Sequence, residues 1–245
     1  LESASPTFSL DYYTDLANNI VKSDVKQSEV SFQVEYTPKR RTIGYAVERD
    51  IVDSPYSRFF VNYSHGFKGL LDSDFQYDKV QLYFKQPIII GPLGRSNIIV
   101  ELGKTFGTVP LGLMSVIPGN QTFFTIENTF SNLNYYEFVS DQYATLQWNH
   151  NFGGRLFSRI PFMRKLNWRE IVAVKGVYGS ISDDNRAINA SGLNYNAPEK
   201  GYWEYSAGIG NIFKLFRVDF AWRGNYLNTP DTNRFTVKAS FGFNF

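Results

Sequence analysis

The sequence predicts an all-β fold, specifically an antiparallel transmembrane β-barrel, from three observations. Apolar and polar residues alternate along many segments, as expected where successive strand side chains point to opposite faces. The clearest of these segments is much longer than the usual strand of about five or six residues. No apolar run approaches the roughly 18–20 residues that a membrane-spanning helix requires. The 245 residues suit one barrel domain, residues 1–245.

The final segment has the purest alternation. Polar or small residues separate the apolar positions Phe235, Val237, Ala239, Phe241, Phe243 and Phe245. A transmembrane strand needs only about 9–11 residues, so this segment is long enough to cross a bilayer at a tilt. The assembly machinery recognises the last strand of an outer-membrane barrel. Phe241, Phe243 and Phe245 are therefore predicted to form an assembly signal. The simpler interpretation is that these side chains only face lipid.

Earlier segments repeat the alternation less purely. Two weak strands are predicted around Thr7–Tyr12 and Thr42–Glu48. Stronger alternation predicts strands at Val30–Tyr36, Arg58–Ser64, Lys79–Lys85, Asn97–Gly103, Tyr143–Asn149, Arg169–Tyr178, Trp203–Gly210 and Phe216–Arg223. With the final strand the total is about eleven. No segment predicts a long helix, although Asp15–Val25 is compatible with a short helical turn.

The lengths of the connections support a barrel with two unlike ends. If the chain ends at the periplasmic face, the outer connections are Gly66–Gln76, Thr105–Ser140, Ser180–Gly201 and Asn225–Asn233. The inner connections are then Pro87–Ser96, Phe152–Leu166 and Asn211–Leu215. The outer set contains the two longest loops, as is typical of outer-membrane barrels.

The odd strand count requires an explanation, because bacterial single-chain barrels have an even number of strands. Three explanations are open. The first weak segment is not a strand, Thr105–Ser140 contains further secondary structure, or the chain is part of a larger barrel. The abrupt start at Leu1 favours the third interpretation, in which the chain is the C-terminal part of a longer protein with a barrel of about 16 strands.

Charged residues on the polar side of the alternation are predicted to face the lumen. They are Glu35, Lys79, Lys85, Glu101, Lys175, Glu204, Arg217, Asp219, Arg223 and Lys238. In a narrow barrel such charges pair with one another and plug the lumen, whereas in a wide barrel they set ion selectivity. Mutual pairing is the favoured interpretation.

Composition argues against several other classes of function. The chain has no Cys, which excludes disulfides, thiol catalysis and thiolate metal sites. Its 25 basic and 23 acidic residues nearly balance, so nothing indicates nucleic-acid binding. His65 and His150 lie far apart in sequence, and no motif supplies a nucleophile with a base. We therefore expect no enzyme activity, no metal and no cofactor.

The predicted inner turn Arg155–Arg169 is long and basic, with Arg155, Arg159, Arg164, Lys165 and Arg169 among apolar residues. A simple interfacial anchor is the favoured interpretation. Docking of a periplasmic partner and contact with phospholipid headgroups are the alternatives.

Three motifs stand out from the alternation. They are Asn134-Tyr135-Tyr136-Glu137-Phe138-Val139-Ser140-Asp141, Arg159-Ile160-Pro161 with Arg164-Lys165-Leu166, and Gly208-Ile209-Gly210-Asn211-Ile212-Phe213 leading to Arg217-Val218-Asp219-Phe220. These motifs resemble a barrel family from Bacteroidota outer membranes. Members of that family carry a carboxypeptidase-regulatory-like domain before the barrel. The barrel is in turn similar to the surface-antigen superfamily, which includes BamA-type assembly proteins and two-partner-secretion transporters.

The resemblance implies an integral outer-membrane protein, surface-antigen-like, with a role in envelope biogenesis or membrane assembly complexes. Two other functions stay open, a passive pore or transporter component and a structural or receptor barrel that binds a partner through its long outer loops. The expected partners are outer-membrane lipid, the barrel-assembly machinery during biogenesis, and other outer-membrane or periplasmic proteins.

Overall fold

The computed structural model describes residues 11–45, 48–51, 56–193, 195–229 and 231–242. The strands are β1 (Tyr12–Asp15), β2 (Ile20–Lys22), β3 (Ser28–Tyr36), β4 (Thr42–Tyr45), β5 (Glu48–Ile51), β6 (Arg58–Phe67), β7 (Tyr77–Ile89), β8 (Arg95–Phe106), β9 (Ser115–Val116), β10 (Val139–Ser140), β11 (Gln142–Asn151), β12 (Arg169–Ser180), β13 (Tyr202–Ile212), β14 (Phe216–Arg223) and β15 (Phe235–Phe241). The short helices are α1 (Pro161–Arg164) and α2 (Asp183–Ala187), with 3-10 turns at Leu70–Asp72, Gly91–Leu93, Leu111–Leu113 and Phe157–Arg159. No helix among the described residues is long and apolar enough to cross a membrane.

Nine strands form one antiparallel sheet in the order β3-β6-β7-β8-β11-β12-β13-β14-β15. The prediction of an antiparallel all-β fold is confirmed, and every strongly alternating segment lies in this sheet. Within the described residues β3 and β15 are its two edges and do not pair with each other.

The two weak strands and the helical turn were predicted wrongly or lie partly outside the described residues. Thr42–Glu48 is split between β4 and β5, which pair as a separate hairpin. Residues 7–10 lie outside the description, and β1 pairs with β2 instead of joining the large sheet. Asp15–Val25 therefore contains the turn and the second strand of this hairpin, where the sequence was compatible with a helical turn. The Asp15 carboxylate accepts the backbone N–H groups of Ala17 at 2.9 Å and Asn18 at 3.2 Å and closes the turn.

The two faces of the large sheet have opposite chemistry. On one face apolar side chains point into solvent, including Phe32 at 68% exposure, Leu146 at 55% and Phe241 at 62%. On the other face charged and polar side chains are buried, among them Glu204 at 2% and Lys238 at 4%. We call these the apolar face and the polar face. The arrangement is the reverse of a water-soluble sheet, which buries its apolar side.

The strands are also staggered in one direction across the sheet. Phe235, the first residue of β15, is directly opposite Trp222 of β14. The same row of paired residues runs on through Tyr205, Val174, Trp148 and Ile98 to Gln86. Gln86 lies near the opposite end of β7. A steady stagger of this kind accompanies the strand tilt of a barrel.

The connections at the two ends of the sheet differ in structure. At one end, the cap end, the loops pack around buried Tyr77, Val109, Leu111, Val139 and Ile181. The β1–β2 hairpin joins this end through a hydrogen bond from Tyr13 N to the carbonyl oxygen of Ile188 at 2.8 Å. At the other end, the turn end, strands are joined by residues 90–94, 152–168 and 213–215, and by the connection that holds β4 and β5. The β7–β8 connection is shorter than the predicted Pro87–Ser96, because β7 continues to Ile89.

Candidate functional site

The connection between β8 and β11, residues 107–141, lies against the polar face instead of projecting from the sheet. We call it the covering segment. Its Ile117, Phe130, Leu133 and Phe138 form a buried cluster with Val177 and Tyr202 of the sheet. The sequence predicted an outer loop here, with hidden structure as one alternative. The structure contains short strands β9 and β10, which pair with each other.

The charges predicted to face the lumen fall into two groups on the sheet. Those on β12–β15 are Lys175, Glu204, Arg217, Asp219, Arg223 and Lys238, and those on β3, β7 and β8 are Glu35, Lys79, Lys85 and Glu101. Lys175, Glu204 and Arg223 are consecutive cross-strand neighbours and share one face. Every member of the first group except Arg217 contacts the covering segment, and Arg217 pairs with Asp219.

Arg223 forms the most buried ion pair with the covering segment. Its Nη2 donates to Glu137 Oε1 at 2.5 Å, and neither side chain is more than 6% exposed. Arg223 Nη1 also donates to the carbonyl oxygen of Asn132 at 3.2 Å, and the guanidinium lies 4.9 Å from the ring centre of Tyr202. A buried pair of this kind tolerates the loss of one partner poorly, because the remaining charge stays desolvated.

Glu204 holds the backbone of the covering segment at a second point. Its carboxylate accepts the N–H of Ser131 at 2.7 Å and that of Asn132 at 3.0 Å, as well as the hydroxyl of Tyr202 at 3.1 Å. The Nζ of Lys175 is 3.9 Å from the same carboxylate. The buried charge is thus satisfied mainly by hydrogen bonds.

Two lysines bind backbone carbonyl groups of the covering segment. Lys238 Nζ donates to the carbonyl oxygens of Asn120 at 2.7 Å and Thr122 at 2.6 Å. Lys175 Nζ donates to that of Thr129 at 2.6 Å. The mutual pairing of charges predicted from the sequence therefore describes only part of the arrangement, since these ammonium groups are satisfied largely by main-chain oxygen.

Asp219 combines pairing within the sheet with a contact to the covering segment. Arg217 Nε lies 2.8 Å from Asp219 Oδ2, as expected for mutual pairing. The hydroxyl of Thr125 donates to the same carboxylate oxygen at 3.3 Å. Next to this contact, the covering segment reaches the free edge of β15, where Thr125 N donates to the carbonyl oxygen of Ala239 at 2.7 Å and Ala239 N to that of Phe123 at 2.8 Å.

In the second group of charges, Glu35 and Glu101 contact residues of the sheet. Glu35 pairs with Arg58 at 3.0 Å, and Glu101 accepts the hydroxyl of Tyr143 at 2.6 Å. Beside these strands lie cavities of about 310 Å³ and 230 Å³, both lined by Gln81 and Glu101. Lys79 lines the larger of these, and Lys85 lines a third cavity of about 130 Å³. The two larger of these cavities lie beside β7 and β8, whereas the smallest is also lined by Lys175, Arg217 and Asp219 of the first group.

The predicted assembly signal is only partly within the description. Phe241 lies on the apolar face, 62% exposed, and its ring is 4.8 Å from that of Phe216 and 5.8 Å from that of Phe124. Phe243 and Phe245 lie outside the described residues. The recognition role of these residues stays a prediction.

The histidines do not form a shared site. His65 Nδ1 lies 2.7 Å from an Asp78 carboxylate oxygen near the cap end. His150, 5% exposed, is held through both ring nitrogens, by the Ser96 hydroxyl at 2.7 Å and the carbonyl oxygen of Leu93 at 3.0 Å. Among the described residues no group of three or more His, Asp or Glu is suited to a metal ion.

Reasoning from the sequence missed Glu137 and Asp141 as structural residues. Glu137 pairs with Arg223, whereas Asp141 accepts the Ser182 N–H at 2.7 Å and the Asn185 amide at 2.8 Å inside the cap. Both residues belong to the stretch Asn134–Asp141 that carries a resemblance motif. The motif was the available signal, because neither acid lies on an alternating strand.

Comparison with known families identifies the family of this chain. A family model described as "Family of unknown function (DUF5686) C-terminal domain" matches residues 13–184. This range begins in β1 and ends in α2. A search of curated proteins found no match.

Proposed function

We propose that this chain, which belongs to the DUF5686 C-terminal domain family, forms wall strands of a bacterial outer-membrane β-barrel with a role in envelope biogenesis or membrane assembly. Its covering segment occupies the interior of that barrel. The observation that carries the proposal is the reversed sheet, with exposed apolar side chains on one face and buried charges on the other.

Exposure of the apolar face to water is energetically unfavourable. Burial of apolar surface contributes about 25 cal/mol per Å², and soluble monomers rarely expose contiguous apolar patches above a few hundred Å². Val34, Phe59, Leu102, Val174 and Val237, from strands across the sheet, are all more than 40% exposed. A lipid hydrocarbon phase removes this cost without any protein partner.

The tryptophans support a membrane orientation in which both ends of the sheet lie at an interface. Of the 4 Trp residues, Trp203 and Trp222 lie near the cap end of β13 and β14, and Trp148 and Trp168 lie toward the turn end of β11 and β12. Trp and Tyr are enriched at both membrane–water interfaces. Outer-membrane barrels have short periplasmic turns and longer outer loops, so we assign the cap end, which has the two longest connections between strands of the large sheet other than the one that holds β4 and β5, to the outer side and the turn end to the periplasmic side.

Closure of the sheet is part of the proposal, because a bilayer tolerates no free strand edge. The stagger of the paired rows is of the kind that closure requires. The nine strands of the sheet are an odd number, so we propose that additional strands of a longer protein complete the barrel, as in barrels of about 16 strands.

The role in biogenesis or assembly rests on the resemblance to surface-antigen barrels and on the occupied polar face. A pore component is the second candidate, and the cavities beside Gln81 and Glu101 favour it. A receptor barrel that binds a partner through the cap is the third. Conductance in planar bilayers identifies a pore, whereas crosslinking and co-purification from native membranes separate an assembly role from a receptor role.

The membrane assignment is tested by spin labels, since the chain contains no Cys. Single cysteines replace Leu146 and Val174 on the apolar face, with Gln147 and Ala173 on the polar face as matched neighbours. In reconstituted vesicles we expect labels at Leu146 and Val174 to collide with oxygen and be shielded from a water-soluble nickel complex. The proposal would be contradicted if the labels at all four positions were exposed to water. It would also be contradicted if carbonate extracted the protein from the vesicles.

A further inference from the structure

Two turns at the turn end enclose an open pocket. Residues 152–168 join β11 to β12, and residues 213–215 join β13 to β14. The side-chain amide of Asn211 donates to the carbonyl oxygen of Asn167 at 2.7 Å and ties the two turns together. Between them lies a cavity of about 590 Å³, whose lining includes Ser158, Arg164, Trp168 and Lys214.

This pocket has strong, unbalanced positive charge. The turns 90–94, 152–168 and 213–215 contain no Asp or Glu. Among the described residues, the side chains of Arg159, Arg164, Lys165 and Lys214 form no ion pair or hydrogen bond. The nearby carboxylate of Glu170 accepts the backbone N–H of Phe157. Of these four residues, Arg164 and Lys214 line the pocket, whereas Arg159 and Lys165 lie elsewhere in the 152–168 turn. Two unpaired cations that line a concave surface favour an anionic ligand.

Large exposed apolar side chains lie close in sequence to these charges. Phe162 is 75% exposed and Phe213 is 84% exposed, and Ile160 and Leu156 are about half exposed. A free aqueous phosphate gives no reason for exposed phenyl rings beside the pocket. A phospholipid does, because aromatic and aliphatic side chains enter the acyl boundary while Arg and Lys reach the headgroup.

We propose that this pocket binds the phosphate headgroup of an anionic phospholipid in the periplasmic leaflet. Arg164 and Lys214 contact the phosphate oxygens, with the guanidinium able to bind two of them at once. Phe162 and Phe213 lie among the upper acyl carbons. The inference rests on the proposed membrane function and names a ligand for it.

The test measures lipid retention on the whole protein. Protein is reconstituted in mixed phosphatidylcholine and phosphatidylglycerol, and retained lipids are identified by native mass spectrometry. We expect the wild type to retain phosphatidylglycerol selectively. The double variant Arg164→Gln/Lys214→Gln is expected to lose that preference by roughly tenfold or more, as two interfacial charges are removed.

Matched controls separate this site from general charge. Lys68→Gln/Lys200→Gln removes the same charge from exposed loops at the cap end and is expected to leave retention unchanged. Arg164→Lys/Lys214→Arg is expected to restore most of the preference. An equal loss in the cap-end variant, or no preference in the wild type, would overturn the proposal.

Two further arms isolate the source of the phosphate and the membrane premise. Inorganic phosphate in excess is expected not to displace the retained lipid, and displacement would overturn the lipid assignment. Protein that carbonate extracts from vesicles contradicts the proposed function itself. Protein that resists extraction but shows no lipid preference contradicts only this inference.

Discussion

The guanidinium of Arg223 connects β14 to the covering segment through an ion pair with Glu137. It is 5% exposed, and it pairs with Glu137 from a segment 86 residues away in sequence. Such a contact contributes to stability mainly through the cost of leaving either charge alone in a dry site. Arg223 and Glu137 are therefore the residues at which a single substitution most directly tests the packing of the covering segment.

We predict that Arg223→Ala lowers the free energy of unfolding by about 3–5 kcal/mol, because it leaves the Glu137 carboxylate buried without its partner. Urea unfolding in detergent micelles, followed by tryptophan fluorescence, measures the change. Arg186→Ala is the control, since its pair with Glu199 is about half exposed and is expected to contribute less than about 1 kcal/mol. Equal losses in the two variants would contradict the prediction.

A second residue-scale prediction concerns Asp74 in the cap, outside the large sheet. The Lys22 ammonium at 2.8 Å and the Lys26 backbone N–H at 2.8 Å hold the pKa of the Asp74 carboxyl below its usual range. The unfolded chain therefore takes up this proton at a higher pH than the folded chain. The stabilisation is fully present above the unfolded pKa of about 3.9 and is lost as the pH falls through the lower folded value.

Hydrogen exchange of residues 11–27, corrected for intrinsic rates, tests the Asp74 contact. We expect protection to fall as the pH drops below about 4, by no more than about fivefold because the ion pair is partly exposed. Asp74→Asn is expected to remove this pH dependence. Asp72→Asn is the control, because Asp72 is exposed and 3.9 Å from Lys26. The same loss of pH dependence in both variants would rule out Asp74 as the titrating group.

At the scale of elements, the main-chain groups of the covering segment bind charged side chains of the strands around it. Its backbone supplies carbonyl oxygens to Lys175 and Lys238, and its N–H groups bind Glu204. Pro118 and Phe130 are linked by a backbone hydrogen bond of 2.9 Å. The stretch between them is therefore a loop whose two ends lie close together. This loop carries the contacts to Lys238 and Asp219.

We predict that replacing residues 121–129 with a short glycine-serine link opens an ion pathway. Lys175, Asp219 and Lys238 then lose partners and face water in the lumen of the proposed barrel. Planar-bilayer recordings are expected to show stable conductance in this variant and none in the wild type. The control is a disulfide between cysteines at Phe124 and Ala239, which are bridge partners, and which is expected to keep the lumen closed. Stable wild-type conductance would instead favour the pore function.

At the scale of the whole molecule, the open edges of the sheet are incompatible with its apolar face in a bilayer. β3 is exposed along nearly its whole length, and within the part of the chain that the structure describes β15 is paired on its free side only at Ala239. Unpaired backbone groups in hydrocarbon cost several kcal/mol each. Closure with further strands removes that cost and also removes the tendency of a free edge to aggregate.

We predict that in the intact protein in a bilayer the amides of β3 exchange hydrogen as slowly as those of β12. The expected reason is that closure pairs both sides of β3, whereas β12 already lies between β11 and β13. Hydrogen exchange with mass spectrometry measures both strands in one sample, so β12 is the internal control. Fast exchange in β3 beside slow exchange in β12 would contradict a closed barrel.

The sequence alone determined the strands and their faces, because the alternation of side chains across a strand is a local property with a period of two. It identified every strand of the large sheet, and it assigned Lys175, Glu204 and Arg223 to the same face, as the register shows. It failed at Thr42–Glu48 and Asp15–Val25, where short hairpins depend on turn closure more than on periodicity.

Only the tertiary structure decided what those charges bind. Lys238 contacts the carbonyl oxygens of Asn120 and Thr122, across 118 and 116 residues of chain. Every residue has the same main-chain carbonyl oxygen, so the pattern of side chains cannot predict which carbonyl group a lysine will contact. The apolar face could be predicted because it depends on neighbours two residues apart, whereas the covering of the polar face depends on where a distant segment comes to lie.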